Sequence, residues 1–265
     1  VKGLAGAVYE ITADEDVITP DGTLRYHKGD VVDTVTTDED GTAKSKELYL
    51  GKYTVVETKA PTGMVINKEK HSVELTYAGQ DVAVTETATS FVNERQKVKI
   101  SLEKILEQDE TFGIGKNDEI KNISFGLYAK EDIVSSSGTA IPADGLIEII
   151  TLDENGAATA NTDLPFGSYY VKEIATDEHY ILSDTQYPFT FEYAGQDTET
   201  VEIKVNDGKP IENKLIYGSV SGKKIDENGE ALGGALIGIF KADETEFTKE
   251  HSIMTATSEK DGSFS

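Results

Sequence analysis

The chain has 265 residues, a net charge of −24 and no cysteine. A surface so acidic repels phosphate backbones and anionic lipid, which argues against nucleic-acid binding and peripheral membrane attachment. Without cysteine there is no disulfide framework, thiolate ligand or thiol nucleophile; with 37% apolar and 28% charged residues the composition is that of a folded protein rather than a disordered polyanion.

Apolar and polar residues alternate at period two along most of the chain, and no long segment carries a helical stripe, so the fold class is all-β. Two segments set the organisation. Leu50-Gly51-Lys52-Tyr53-Thr54-Val55-Val56-Glu57 returns as Phe166-Gly167-Ser168-Tyr169-Tyr170-Val171-Lys172-Glu173, and Tyr77-Ala78-Gly79-Gln80-Asp81 returns letter for letter as Tyr193 to Asp197. The interval between these landmarks is the same in both copies, a period too long for a solenoid and suited to tandem domains. The boundaries expected are 1–96 for a first copy lacking its first strand, 97–216 for a complete second copy, and 217–265 for the opening part of a third. Hairpin turns are expected at Asp38-Glu39-Asp40-Gly41, Asp153-Glu154-Asn155-Gly156, Asp226-Glu227-Asn228-Gly229 and Lys260-Asp261-Gly262, where Asp-Gly and Asn-Gly pairs supply positive φ. These acidic turns lack the bidentate glutamate of a calcium loop, and His27, His71, His179 and His251 are scattered singly, so neither a metal nor a cofactor is expected. Val1 is not followed by a leader pattern, and the longest apolar stretch, Ala231 to Phe240, is too short and glycine-broken to span a membrane. The sequence therefore reads as an internal piece of something longer.

The second copy places three polar residues on apolar strand faces. In Val98-Lys99-Ile100-Ser101-Leu102-Glu103-Lys104, the parity of Val98, Ile100 and Leu102 includes Lys104. Glu173 shares the parity of Tyr169 and Val171, and Asn213 that of Ile211 and Leu215. A buried lysine and a buried glutamate both drift toward their neutral forms. A neutral amine is a nucleophile, and a neutral carboxylic acid can polarise a carboxamide and shuttle protons while ammonia leaves. The product is an amide between Lys104 and Asn213.

The chain resembles tandem Cna protein B-type domains, the SpaA-like or prealbumin-like modules of Gram-positive surface adhesins and pilins. The residues that carry the resemblance are Leu4-Ala5-Gly6-Ala7 and Leu232-Gly233-Gly234-Ala235, the Gly51-Lys52-Tyr53 to Glu57 segment followed by Ala60-Pro61-Thr62-Gly63, and Lys224-Ile225-Asp226 after Gly218-Ser219-Val220. The resemblance implies immunoglobulin-like β-sandwiches in which a first-strand lysine joins a last-strand asparagine with help from the glutamate, here Lys104, Asn213 and Glu173. The second copy departs from the pattern at Ile105-Leu106, in an insertion reaching Ile120, and in Thr176-Asp177-Glu178-His179 where Ala-Pro-x-Gly is usual. The other copies hold incomplete sites. Glu57 and Asn93 stand in the first, whose lysine would precede Val1, and Lys224 in the third, whose partners would follow Ser265.

The function expected is an extracellular stalk segment of an adhesin or pilin, anchored to the cell wall through parts outside this sequence. Its partners are neighbouring domains of the same surface protein, and its only chemistry is one self-modification rather than enzymatic turnover. The alternative is a module that binds a host matrix protein or glycan through the loops Thr111 to Asn122 and Val134 to Gly145. Gly218-Ser219-Val220-Ser221-Gly222 is a poor nucleophile elbow, because Val220 holds the central place.

Overall fold

The computed structural model describes residues 3–134, 138, 140–160 and 162–265, and the chain divides into two compact units, Val1–Lys214 and Leu215–Ser265. Among the described residues the regular structure is β-strand apart from two short 3-10 turns, Asp118–Asn122 and Val205–Gly208.

The first repeat supplies β1 (Val8–Ala13), β2 (Val17–Ile18), β3 (Leu24–Tyr26), β4 (Val31–Thr36), β5 (Gly51–Lys59) and β6 (Lys70–Leu75). β4, β1, β5 and β6 form one antiparallel sheet in that order, and β2 pairs with β3. Tyr9, Ile11 and Ala13 of β1 point inward between half-buried neighbours, and Ile11, Ala13, Val17, Val32 and Tyr53 form a small core. That alternation is why the segment is a strand.

The second repeat builds a two-sheet sandwich from β7 (Lys97–Leu106), β8 (Ser124–Ala129), β9 (Ile133–Val134), β10 (Ala140–Ile141), β11 (Leu146–Thr151), β12 (Ala157–Ala160), β13 (Gly167–Ala175), β14 (Gln186–Phe191), β15 (Thr200–Lys204) and β16 (Ile211–Asn213). One sheet runs β11-β8-β13-β14; the other runs β12-β7-β15, with β16 also on β7. Val98, Ile100 and Leu102 from one sheet and Phe125, Leu127, Tyr169 and Val171 from the other fill the space between them. Both β15 and β16 lie parallel to β7, so the end of the repeat returns alongside its start.

The expected hairpin at Asp153 differs from the structure in an instructive way. Its turn chemistry is present, with the Asp153 N–H donating to the Ala157 carbonyl at 2.9 Å and the Asp153 carboxylate accepting from the N–H groups of Asn155 and Ala157. Yet β11 and β12 belong to opposite sheets, so the turn carries the chain across the sandwich. The partner it finds there is β7, whose Lys104 N–H donates to the Gly156 carbonyl at 2.8 Å. The turn beginning at Glu259 behaves likewise. It joins β19 (Met254–Thr257), paired with β18 (Leu236–Ile239), to β20 (Ser263–Phe264), paired with β17 (Gly222–Lys223), and the Lys224 N–H donates to the Gly262 carbonyl at 2.7 Å. The Asp38 turn leads into residues without strand structure until Gly51.

The two copies of Tyr-Ala-Gly-Gln-Asp also differ. In the second repeat this segment joins the two repeats. The carboxamide of the buried Gln96 donates to the carbonyls of Gly195 and Thr198 and accepts from the Ala194 N–H, while Gln196 accepts from the Ala60 N–H at 2.9 Å and the Tyr193 hydroxyl donates to the Met64 carbonyl. In the first repeat Tyr77 is 68% exposed.

Gly156 has φ of 80°, and a Cβ on it would lie 2.1 Å from the Lys104 carbonyl oxygen; Gly22 has the same φ with nothing within 4 Å of its would-be Cβ. Gly22→Ala should therefore cost about 1 kcal/mol for the left-handed conformation. Gly156→Ala should cost about 3 kcal/mol, because β7 must also move. Urea unfolding followed by tyrosine fluorescence measures both, and equal costs would remove the role assigned to the Gly156 contact.

Candidate functional site

Lys104 on β7 and Glu173 on β13 approach each other from opposite sheets, and Asn213 on β16 closes the group; the three are 1%, 1% and 2% exposed. Strand pairing makes this possible. β16 runs beside β7 with Ile211 opposite Lys104, so the end of the repeat is held within reach of the first strand's side chain. The Lys104 ammonium donates to the Ile211 carbonyl at 3.0 Å and stands 3.8 Å from Glu173 Oε1. Asn213 Nδ2 lies 2.9 and 3.0 Å from the two Glu173 oxygens and 2.9 Å from Thr176 Oγ1. The Ser183 N–H donates to Glu173 Oε2 at 2.9 Å. Asn213 Oδ1 is the one buried side-chain polar atom among the described residues that has no hydrogen-bond partner.

Burial pushes the Lys104 amine down to about 8, against the opposing pull of the Glu173 and Glu212 charges. The neutral, nucleophilic amine is thus brought close to physiological pH. Tyr187 stands at the same site: burial raises its phenol, and the Glu173 charge raises it further. The arrangement can therefore place an amine, a carboxyl group able to carry its proton, and a carboxamide carbon in one water-poor space.

The first repeat assembles a related pair. Asn93 Nδ2 donates to Glu57 Oε2 at 2.7 Å and to the Val65 carbonyl at 3.0 Å, and the Asn67 N–H donates to the same Glu57 oxygen. Tyr9 lies opposite Glu57 on β1, as Phe125 lies opposite Glu173 on β8. Its hydroxyl is 3.4 Å from Glu57 Oε1, and burial followed by the Glu57 charge raises it to about 12. Lys224 repeats the backbone contact of Lys104 with its turn glycine, but its side chain is exposed and donates to the Ile225 carbonyl at 3.1 Å. Thr176, Ser183, Tyr9 and Asn67 were not legible as site residues, because each joins through a turn or an adjacent strand rather than through strand parity.

The binding-loop candidates behave differently. Thr111 to Asn122 is internally organised, with Glu119 accepting from the N–H groups of Gly115 and Asn117. Val134 to Gly145 includes residues 135–137 and 139, which lie outside the described residues. His179 pairs with Asp177 at 2.7 Å and His71 with Glu69 at 3.3 Å; among the described residues no group of three or more His, Asp or Glu is arranged to hold a metal. No helix among them is long and apolar enough to cross a membrane.

Sheet order and core define an all-β protein of prealbumin-like sandwich type. The model of the SpaA prealbumin-like fold domain matches residues 1–89 and 110–209, well over half of the chain, and the chain belongs to that family. The structure is similar to that of the Bacillus anthracis TIE protein, with TM-score 0.61 and 20% identity over 99% of this chain and 40% of that one. The chain thus spans less than half of that relative. Two pilins align less closely: GBS52, the minor pilin of Streptococcus agalactiae, at TM-score 0.31 and 18% identity over 83% of this chain and 87% of that one, and BcpA, the major pilin subunit of Bacillus cereus, at TM-score 0.30 and 15% identity over 99% and 79%. No curated protein sequence matches the chain.

Removing Glu173 leaves the Lys104 ammonium buried without its counter-charge, a situation that costs about 3 to 5 kcal/mol. Glu173→Ala should therefore be strongly destabilising in urea unfolding, and adding Lys104→Met, of similar volume, should make the chain more stable than Glu173→Ala alone by removing the unpaired buried charge. A double variant no more stable than the single one would contradict this electrostatic account.

Proposed function

We propose that the chain is a stalk segment of a Gram-positive cell-surface adhesin or pilin, and that its second domain braces itself with an isopeptide bond from Lys104 to Asn213. The observation that carries this reading is the burial of Lys104, Glu173 and Asn213 together between two sheets, with Glu173 bonded to Asn213 and within 4 Å of Lys104. Three inward polar groups are a poor way to stabilise a core of this size. They are a good way to make a covalent link.

Lys104 passes a proton to Glu173, and its Nζ attacks the Asn213 carboxamide carbon. Glu173 returns a proton to Nδ2 and takes one from Nζ, and the C–N bond to Nδ2 breaks. Ammonia leaves, the amide forms, and Glu173 finishes protonated, so no other reactant is needed. Self-modification occurs once per chain; Glu173 is its catalytic residue and no cofactor takes part.

For a stalk the value of the bond is mechanical. β7 and β16 lie side by side at the two ends of the domain, and a link between them closes a loop of about 110 residues, worth about 4 to 5 kcal/mol by analogy with disulfide loop entropy. Unlike a disulfide it resists reductants and needs no cysteine, of which the chain has none. Load entering at β7 leaves through the link near β16 and bypasses the sheets between them. Neighbouring domains of the same surface protein are the partners this requires, and attachment to the cell wall lies with other parts of that protein.

Single-molecule stretching of the chain by its two ends tests this role. The segment between Lys104 and Asn213 should add no extension at forces that unfold the first repeat. Release of the whole loop, about 370 Å at full extension, would overturn the proposal.

A further inference from the structure

The Lys104 site has a fourth member whose chemistry the crosslinking step leaves unexplained. Asn213 Nδ2 faces three acceptors, the two Glu173 oxygens and Thr176 Oγ1, while Asn213 Oδ1 faces none. This arrangement suits an ionised Glu173, which only accepts hydrogen bonds. The reaction needs the other state, in which Glu173 carries the proton and becomes a donor. Half a turn about the Cβ–Cγ bond of Asn213 exchanges Nδ2 and Oδ1, and places the oxygen between Glu173 and Thr176. A hydroxyl fits both states, because it can accept from an N–H and donate to an oxygen.

We propose that Thr176 is a catalytic residue of the second repeat, whose hydroxyl joins protonated Glu173 as the second donor of an oxyanion site for Asn213 Oδ1. The inference rests on the self-crosslinking reading and deepens it. As the Lys104 Nζ to Asn213 Cγ bond forms, the carbonyl π pair moves onto Oδ1, and Thr176 holds that charge without giving up its proton. In the tetrahedral state Oδ1, Nδ2 and Nζ share one sp3 carbon, so the Glu173 carboxyl passes its proton from beside Oδ1 to Nδ2 and takes one from Nζ, and the charge on Oδ1 returns to the C–O bond when ammonia departs.

The first repeat supplies the contrast. There Asn93 Nδ2 donates to Glu57 and to the Val65 carbonyl, and a carbonyl cannot donate. That carboxamide is held with its nitrogen inward whatever the state of Glu57. The position corresponding to Thr176 is Ala60, which has no hydroxyl. The departure of Thr176-Asp177-Glu178-His179 from Ala60-Pro61-Thr62-Gly63 thus puts a hydroxyl within reach of the second repeat's carboxamide.

The test follows ammonia loss by intact mass at timed intervals after cell-free synthesis of the full chain, for the wild type and for Thr176→Val, Thr176→Ala and Thr176→Ser. Val keeps the shape, Ala is the residue the first repeat already accommodates, and Ser keeps the hydroxyl. Loss of an oxyanion donor should slow Val and Ala by about a hundredfold. Ser should stay within a few-fold of wild type and share its pH profile. Val and Ala reacting at the wild-type rate, or Ser as slow as Val, would overturn the role of Thr176 alone. A wild-type chain that never loses ammonia would overturn the crosslinking reading and this inference with it.

Discussion

Three polar side chains share one dry space between two sheets, and Glu173 is the group that makes the other two tolerable there. Lys104 needs the Glu173 charge and the Ile211 carbonyl; Glu173 needs Lys104, Asn213 and the Ser183 N–H; Asn213 needs Glu173 and Thr176. In water these groups would cost nothing. Between β7, β13 and β16 they are held within 4 Å of Glu173, where burial lowers the lysine amine to about 8 and brings its nucleophilic form within reach.

The rest of the second repeat is arranged to deliver those groups. β7 is both the first strand and the one that β12, β15 and β16 all pair with, so it forms the hub of its sheet. The Gly156 turn fixes the backbone of Lys104 from one side, and Ile211 fixes it from the other. The same device at Gly262 holds Lys224 in the second unit, where the lysine side chain remains exposed. A repeated backbone frame thus carries a buried lysine at Lys104 and an exposed one at Lys224.

Much of this was legible in the sequence, and the limits have a physical basis. Parity along a single strand is local information, and it is enough to set Lys104, Glu173 and Asn213 on inward faces. It says nothing of a residue such as Thr176, which follows the end of β13 and reaches Asn213 from the next turn. Turn chemistry is local too: Asp153 to Gly156 is the same turn whether the flanking strands pair or part, so its sheet crossing became visible only when β7 was seen to receive it. The pentapeptide shared by Tyr77 to Asp81 and Tyr193 to Asp197 makes the same point. One copy seals Gln96 and the Ala60 turn while the other exposes its tyrosine, because what decides its role lies far away in sequence.

The central claim is that the buried trio becomes a covalent brace. Intact mass of the folded chain, with peptide mapping around Lys104 and Asn213, tests it most directly. The account requires a mass lower than the sequence value by one ammonia and a branched peptide joining the two residues. An unmodified mass, with Lys104 and Asn213 recovered in separate linear peptides, would contradict it.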